Sequence, residues 1–186
     1  MLVTHERKKL INSIIYFAHH TKHVGKIKLF KLLYLLDFEH FRMTGRGVTG
    51  LNYHAWKYGP VPVALDQEWE EPEADLAAAI TIQPERIIDY VRETVAPQAA
   101  FDDSYFSKRE LRIMEHLANQ YRDELSYKMI DVTHAENGAW AKVWNAGQGF
   151  DQRIDYTLAI ADNDPHREAI LEAAREHEAI ASTARC

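Results

Sequence analysis

His19, His20 and His23 form the densest group of potential metal ligands or proton carriers in the chain. His19 and His23 stand four apart, so on a helix they would face one way, which is how a zinc site can begin. A zincin needs glutamate directly after the first histidine, but His20 occupies that place and no carboxylate lies close by in sequence. The segment therefore reads as a solvated helix end whose histidines sit near the negative C-terminal dipole. His134 with Glu136, beside Trp140, is a second candidate. Its simplest reading is a histidine hydrogen-bonded within a packed helix junction. A metal-dependent enzyme centred on His19, His23, His54 or His134 is the weakest of the functional alternatives.

Nucleophile chemistry finds less support. The chain has no Gly-x-Ser-x-Gly elbow and no glycine-rich phosphate loop, and its one cysteine is the final residue, Cys186. A lone thiol closes no internal disulfide and builds no cysteine zinc cluster. Asp102 with Asp103, and Glu70 with Glu71, are adjacent carboxylates. Neighbours on a helix or strand point in different directions, so adjacency does not make a general acid and base pair. The expectation is a protein without catalysis, metal or cofactor.

The elements that must carry these residues are mostly helical. Leu10, Ile11, Ile14, Ile15 and Ala18 recur at helical spacing and predict a first helix from Thr4, as cap, to His20. Lys26 to Thr44 is apolar around most of its circumference, with one polar stripe through Lys28, Lys31, Glu39 and Arg42. Such a helix is central and buried, and Gly45 and Gly47 end it. Leu51 to Val63 mixes aromatic and β-branched residues and predicts a short strand ending in a turn at Gly59 and Pro60. An alanine-rich helical piece runs to Ile80. Pro84 to Ala100 is open between a helix through Ile87, Ile88, Val91 and Val95 and an edge strand, Val91 to Pro97, paired near Tyr53.

Ser107 with Glu110 is a capping box, and Phe106 with Leu111 a hydrophobic staple, so a helix starts there with Leu111, Met114, Leu117, Ala118 and Tyr121 on its apolar face. A further helix spans Ser126 to Ala135, stopped by Asn137 and Gly138, and Trp140 and Trp144 lie one turn apart in the next. Asp164 and Pro165 suit the cap and first position of a last helix carrying Ile170, Leu171, Ala174 and Ile180. The fold class is mainly α with a small β hairpin or sheet element, a compact multi-helix single domain around one buried helix. Residues 1–160 read as the domain, and 161–186 as a helical extension packed on it or projecting from it.

With 186 residues and 46% hydrophobic content the chain can build a core without staples. The apolar run Leu32 to Leu36 is far too short for a membrane span, and the N-terminus lacks a signal-peptide pattern, so a cytoplasmic protein with no membrane partner is expected. The net charge of -6 hides a partition: ten bases against three acids in residues 1–60, twelve against twenty-five thereafter. Lys8, Lys9, Lys22, Lys26, Lys28 and Lys31 could contact phosphates, which makes a nucleic-acid-binding regulator an alternative, although the overall acidity opposes it. The block Asp66 to Asp75 sets six acids around Trp69. It reads either as a solvated surface or as a partner-binding face of Asp66, Glu68, Glu70 and Glu71 with Trp69 as aromatic anchor, offered to a basic protein.

Three strings together resemble a known family: KIKLFKLLYLLDFEHFRMTGRGVTG (Lys26 to Gly50), AWKYGPVP (Ala55 to Pro62), and FSKREL through LSYKMIDVTHAENGAW (Phe106 to Trp140). Their order and spacing resemble the SocA-like antitoxins, or Panacea domain, of bacterial and phage toxin–antitoxin systems, over about residues 5 to 160. Lys28, Lys31, Tyr34, Trp56, Gly59, Pro60, His134 and Trp140 match the family motifs, with Trp56 and Trp140 expected to fill the core. Ala139 stands where proline would be expected before the tryptophan. The resemblance implies a mostly helical domain that neutralises a cognate toxin, encoded by an adjacent gene, through direct protein contact. A related mode is adaptor delivery of the bound toxin to a cellular protease, and homo-oligomers are compatible with either.

Overall fold

The computed structural model describes residues 5–87, 90–135 and 138–184. It is mainly α, with two antiparallel hairpins. In chain order come α1 (Glu6–His20), α2 (Lys26–Thr44), β1 (Tyr53–Trp56), β2 (Gly59–Pro62), α3 (Val63–Glu68) and α4 (Ala74–Ala79). The chain continues through β3 (Ile80–Ile87), β4 (Tyr90–Pro97), α5 (Lys108–Gln120), α6 (Ser126–Ala135), α7 (Ala139–Trp144) and α8 (Arg167–Ala184).

α2 is the axis. Leu29, Leu32, Leu33, Tyr34, Leu36 and Phe38 on it have no solvent exposure, and each such burial contributes roughly 1.5–3 kcal/mol before entropy is subtracted. Intrinsic helix propensity differs among these residues by tenths of a kcal/mol, so packing decides the helix. α1, α5, α6 and β2 surround it. Only half of the polar stripe predicted along α2 faces water: Lys28 is fully buried and Lys31 is 2% exposed, whereas Glu39 is half-buried and Arg42 exposed.

Asp37 is also fully buried on α2. Its Oδ1 accepts the amides of Val48 (2.6 Å) and Thr49 (2.8 Å), and its Oδ2 accepts the hydroxyls of Thr49 and Tyr53, the latter at 2.7 Å. Burial raises the pKa of this carboxyl and the donors pull it back, with burial the larger effect. The side chain thereby fixes the chain between α2 and β1.

Gly45 ends α2 in the left-handed region at φ 73°. A Cβ there would stand 2.6 Å from Ile170 O and 2.7 Å from Ala174 N, so the same glycine admits α8 to its seat on Phe41 and Ile160.

Several boundaries match the periodicity, and others do not. α1 starts at Glu6 with no side-chain cap, and Thr4 lies outside the described residues, as do Ile88, Glu136, Asn137 and Cys186. The capping box of α5 forms as expected, and Ile113 joins its buried face. Between Pro84 and Ala100 the described residues form strands and no helix, and Val91 to Pro97 does not pair near Tyr53: β4 pairs with β3, in register Ile82 to Val95. The first hairpin turns at Lys57 and Tyr58, because Trp56 pairs with Gly59, which puts Gly59 and Pro60 inside β2. α8 begins at Arg167, after Asp164 Oδ1 has accepted the His166 amide at 2.8 Å in a preceding turn.

Replacing Asp37 by alanine strands four buried donors and should lower stability by about 3–5 kcal/mol, read as a fall in the urea midpoint. Gly45→Ala should raise amide exchange over residues 167–184 and leave exchange in α2 near wild type, if its methyl displaces only α8.

Candidate functional site

Six of the motif residues converge where α2, the first hairpin, α6 and α7 meet. Lys31 projects from α2 and its Nζ donates to Pro60 O at 2.8 Å. Gly59 lies against that amine at φ +103°, and a Cβ there would stand 2.9 Å from Lys31 Nζ and 3.0 Å from Thr133 Oγ1. Glycine is thus required by conformation and by space. His134 follows Thr133 on α6 and stacks on Trp140, ring centres 3.7 Å apart at 4°. Trp140 stacks in turn on Trp144 at 5.5 Å, and its indole N–H donates to Trp56 O at 3.0 Å.

The hydrogen-bonded histidine expected here is held differently. His134 Nε2 is buried and has no hydrogen-bond partner, so stacking fixes the ring. Burial, then the nearby Lys31, lowers its pKa and so favours the neutral imidazole. Trp56 is half-buried rather than part of the core, and its indole N–H donates to Asp151 Oδ1 at 3.0 Å. Ala139 is the buried first residue of α7, the position that suits proline.

Lys28 and Tyr34 lie apart from this cluster. Lys28 Nζ donates to Lys22 O (2.7 Å), Arg122 O (3.1 Å) and Glu124 O (2.7 Å), joining the α1–α2 and α5–α6 connections. Tyr34 packs on Phe38 and Tyr53. Burial lowers the Lys28 pKa to about 8 and the Lys31 pKa to about 7.

The acidic block is largely engaged with the basic N-terminal segment. Arg7 grips Glu68 with two bonds (2.6 and 2.7 Å) and Asp75 with two more (2.6 and 3.0 Å). Those hydrogen bonds raise the Arg7 pKa and lower the carboxylate ones. Asp66 meets Lys26 at 3.0 Å. Trp69, expected as an exposed anchor, is 2% exposed, packs edge-on against Phe30 and donates its indole N–H to Glu93 at 2.8 Å. Glu70 and Glu71 stay exposed.

Lys9 pairs with Glu110 and Lys22 with Asp123, so the lysines that could have met phosphates are mostly paired or buried. Among the described residues the one group with metal-ligand spacing is Glu68, Glu73 and Asp75, and the Arg7 guanidinium already supplies its positive charge. His19, His23, His54 and His134 are not gathered into such a group. His20 donates to Tyr16 O at 2.8 Å, and His54 contacts Asp151. A cleft of about 780 Å³ lies between α8 and the Arg46–Asn52 segment, and none of the eight residues singled out from the family motifs lines it. No helix among the described residues is long and apolar enough to cross a membrane.

An unfolded lysine keeps its proton up to its ordinary range, whereas folded Lys31 releases it near 7. Between those limits the unfolded state binds more protons, so this residue makes stability rise with pH. Lys31→Met should therefore gain on wild type most below pH 7, with the difference in melting temperature shrinking steadily toward pH 10.

Comparison with curated proteins finds no match, and neither does comparison with solved structures. The family model described as antitoxin SocA-like, Panacea domain, matches residues 29–141. The match begins one residue after Lys28, ends just past Trp140, and takes in the whole Lys31–His134 cluster. It covers more than half of the chain, which therefore belongs to the SocA-like antitoxin, Panacea-domain family.

Proposed function

We propose that this chain is an antitoxin that neutralises a cognate toxin, encoded by an adjacent gene, by binding it directly and without catalysis of its own. Family membership supplies the antitoxin role. One structural observation carries the rest: the motif residues are spent inside the fold. Lys31 is committed to Pro60 O, Trp140 to Trp56 O, and His134 to the Trp140 face. A reacting centre would hold such groups open to a substrate. Here they brace a hairpin against two helices, and a chain so arranged acts through the surface that this scaffold displays.

Binding and catalysis differ in stoichiometry. Adding the purified chain to a cell-free assay inhibited by the neighbouring gene's product should restore activity in proportion, reaching completion near equimolar antitoxin. Full rescue at a small fraction of an equivalent would overturn direct masking in favour of enzymatic reversal. Rescue only when a cellular protease is supplied, with toxin lost from the mixture, would replace masking by adaptor delivery.

A further inference from the structure

The second hairpin is paired on one side only. Among the described residues β3 bonds to β4 and to no other strand. β4 turns its far edge to the α1–α2 connection, where Val95 N donates to Val24 O at 2.8 Å. That bond fixes the direction of the backbone groups on β3. In an antiparallel pair the amides and carbonyls of opposed residues point either toward each other or both away. Val95 points away, so its partner Ile82 does too. The same parity holds two residues on either side, at Ile80 and Pro84. The Ile80 amide is taken by Leu76 O, and Pro84 has none. Up to Pro84 the outer edge of β3 thus presents one amide, that of Ile82, between the carbonyls of Ile80 and Pro84 and beside its own; Arg86, of the same parity, lies beyond the proline.

A groove of about 580 Å³ lies against β3 over residues 80–84, lined by Trp69, Pro72, Ile80 and Ile82 with Glu70 and Glu93 among them. Glu93 is tied to the Trp69 indole. Glu70 and the following Glu71 are exposed and, among the described residues, enter no ion pair, in contrast to Asp66, Glu68 and Asp75, which the N-terminal segment neutralises. The unneutralised part of the acidic block therefore borders an apolar groove and an open strand edge.

We infer that this groove receives an extended, basic segment of the partner protein by strand addition to β3, its backbone pairing at Ile82 and its basic side chains meeting Glu70 and Glu71. The inference rests on the direct-binding reading above and names the surface and the chemistry of that partner. Strand addition gives affinity through main-chain bonds and specificity through alternate side chains, and the groove offers both. Charge selects the occupant. A second copy of this chain would bring its own Glu70 and Glu71 against the first pair, and nucleic acid would bring phosphates, so both are repelled. Pro84 interrupts the edge and limits it to a short pairing, the usual guard against uncontrolled edge-to-edge association.

The test uses the full chain and two synthetic peptides, one alternating lysine and valine, the other glutamate and valine. Fluorescence anisotropy should show binding of the lysine peptide alone at low salt, and hydrogen exchange should show new protection within residues 80–84. Glu70→Lys with Glu71→Lys, surface changes that leave the core untouched, should weaken binding about tenfold. Ile82→Pro removes the edge amide that faces the groove without breaking a β3–β4 bond and should abolish protection. Equal binding of both peptides, protection elsewhere, or unchanged affinity in the charge-reversed chain overturns the inference, as does a wild-type dimer that Ile82→Pro converts to monomer. Co-purification with the neighbouring gene's product separates this inference from the function it rests on. If wild-type and charge-reversed chains capture it equally, the groove is excluded and direct binding stands; if wild type captures nothing, direct binding itself falls.

Discussion

A charged group set inside a helix bundle must find partners there, and α2 carries three, Lys28, Lys31 and Asp37. Each reaches a different stretch of non-helical backbone: the carbonyls of two connections for Lys28, the β2 strand for Lys31, and the Val48–Thr49 amides for Asp37. Leaving such a group unpaired is far more costly than the net gain from pairing it. These contacts therefore act less as a source of stability than as a specification. Alternative paths for the connections strand a charge, so one path survives, and the hairpin, α6 and α7 are placed by it.

The charge partition along the chain becomes, in three dimensions, a clasp. Arg7, Lys9, Lys22 and Lys26 leave the first two helices or their connection and meet Glu68 and Asp75, Glu110, Asp123 and Asp66. Several of these groups are half-exposed, and exposed pairs each contribute on the order of 0–1 kcal/mol. Their larger effect is on registry, since the α3–α4 segment docks where Arg7 can close on two carboxylates at once. The acids left outside the clasp then define a face by subtraction.

Much of this architecture was legible in the residues. Apolar periodicity placed α2, and the Ser107–Glu110 pair placed the start of α5, because both signals are local. Lys28 and Lys31 were legible only as part of a polar stripe, since a lysine shows in sequence its own polarity and not the three carbonyls that two connections bring to Lys28. The second hairpin escaped because Val91 and Val95 fit two periods equally over so short a run, and its pairing is settled by a bond to Val24 that no pattern announces. Trp69 looked like an anchor among acids; Phe30 and Glu93, remote in sequence, enclose it. The motif set located the Lys31–His134 cluster without revealing that stacking and two carbonyls, of Pro60 and Trp56, hold it.

The anchoring of Lys28 bears on how the molecule tolerates insertion. The Arg122–Glu124 turn is short, polar and on the surface, the kind of place where added residues, a tag or a fused domain are ordinarily accepted. Here its backbone is an internal ligand: the carbonyls of Arg122 and Glu124 supply two of the three acceptors of a fully buried amine. Lengthening that turn would open the interior rather than decorate the exterior. A fusion is better placed at the Lys57–Tyr58 hairpin tip, where Tyr58 is 61% exposed.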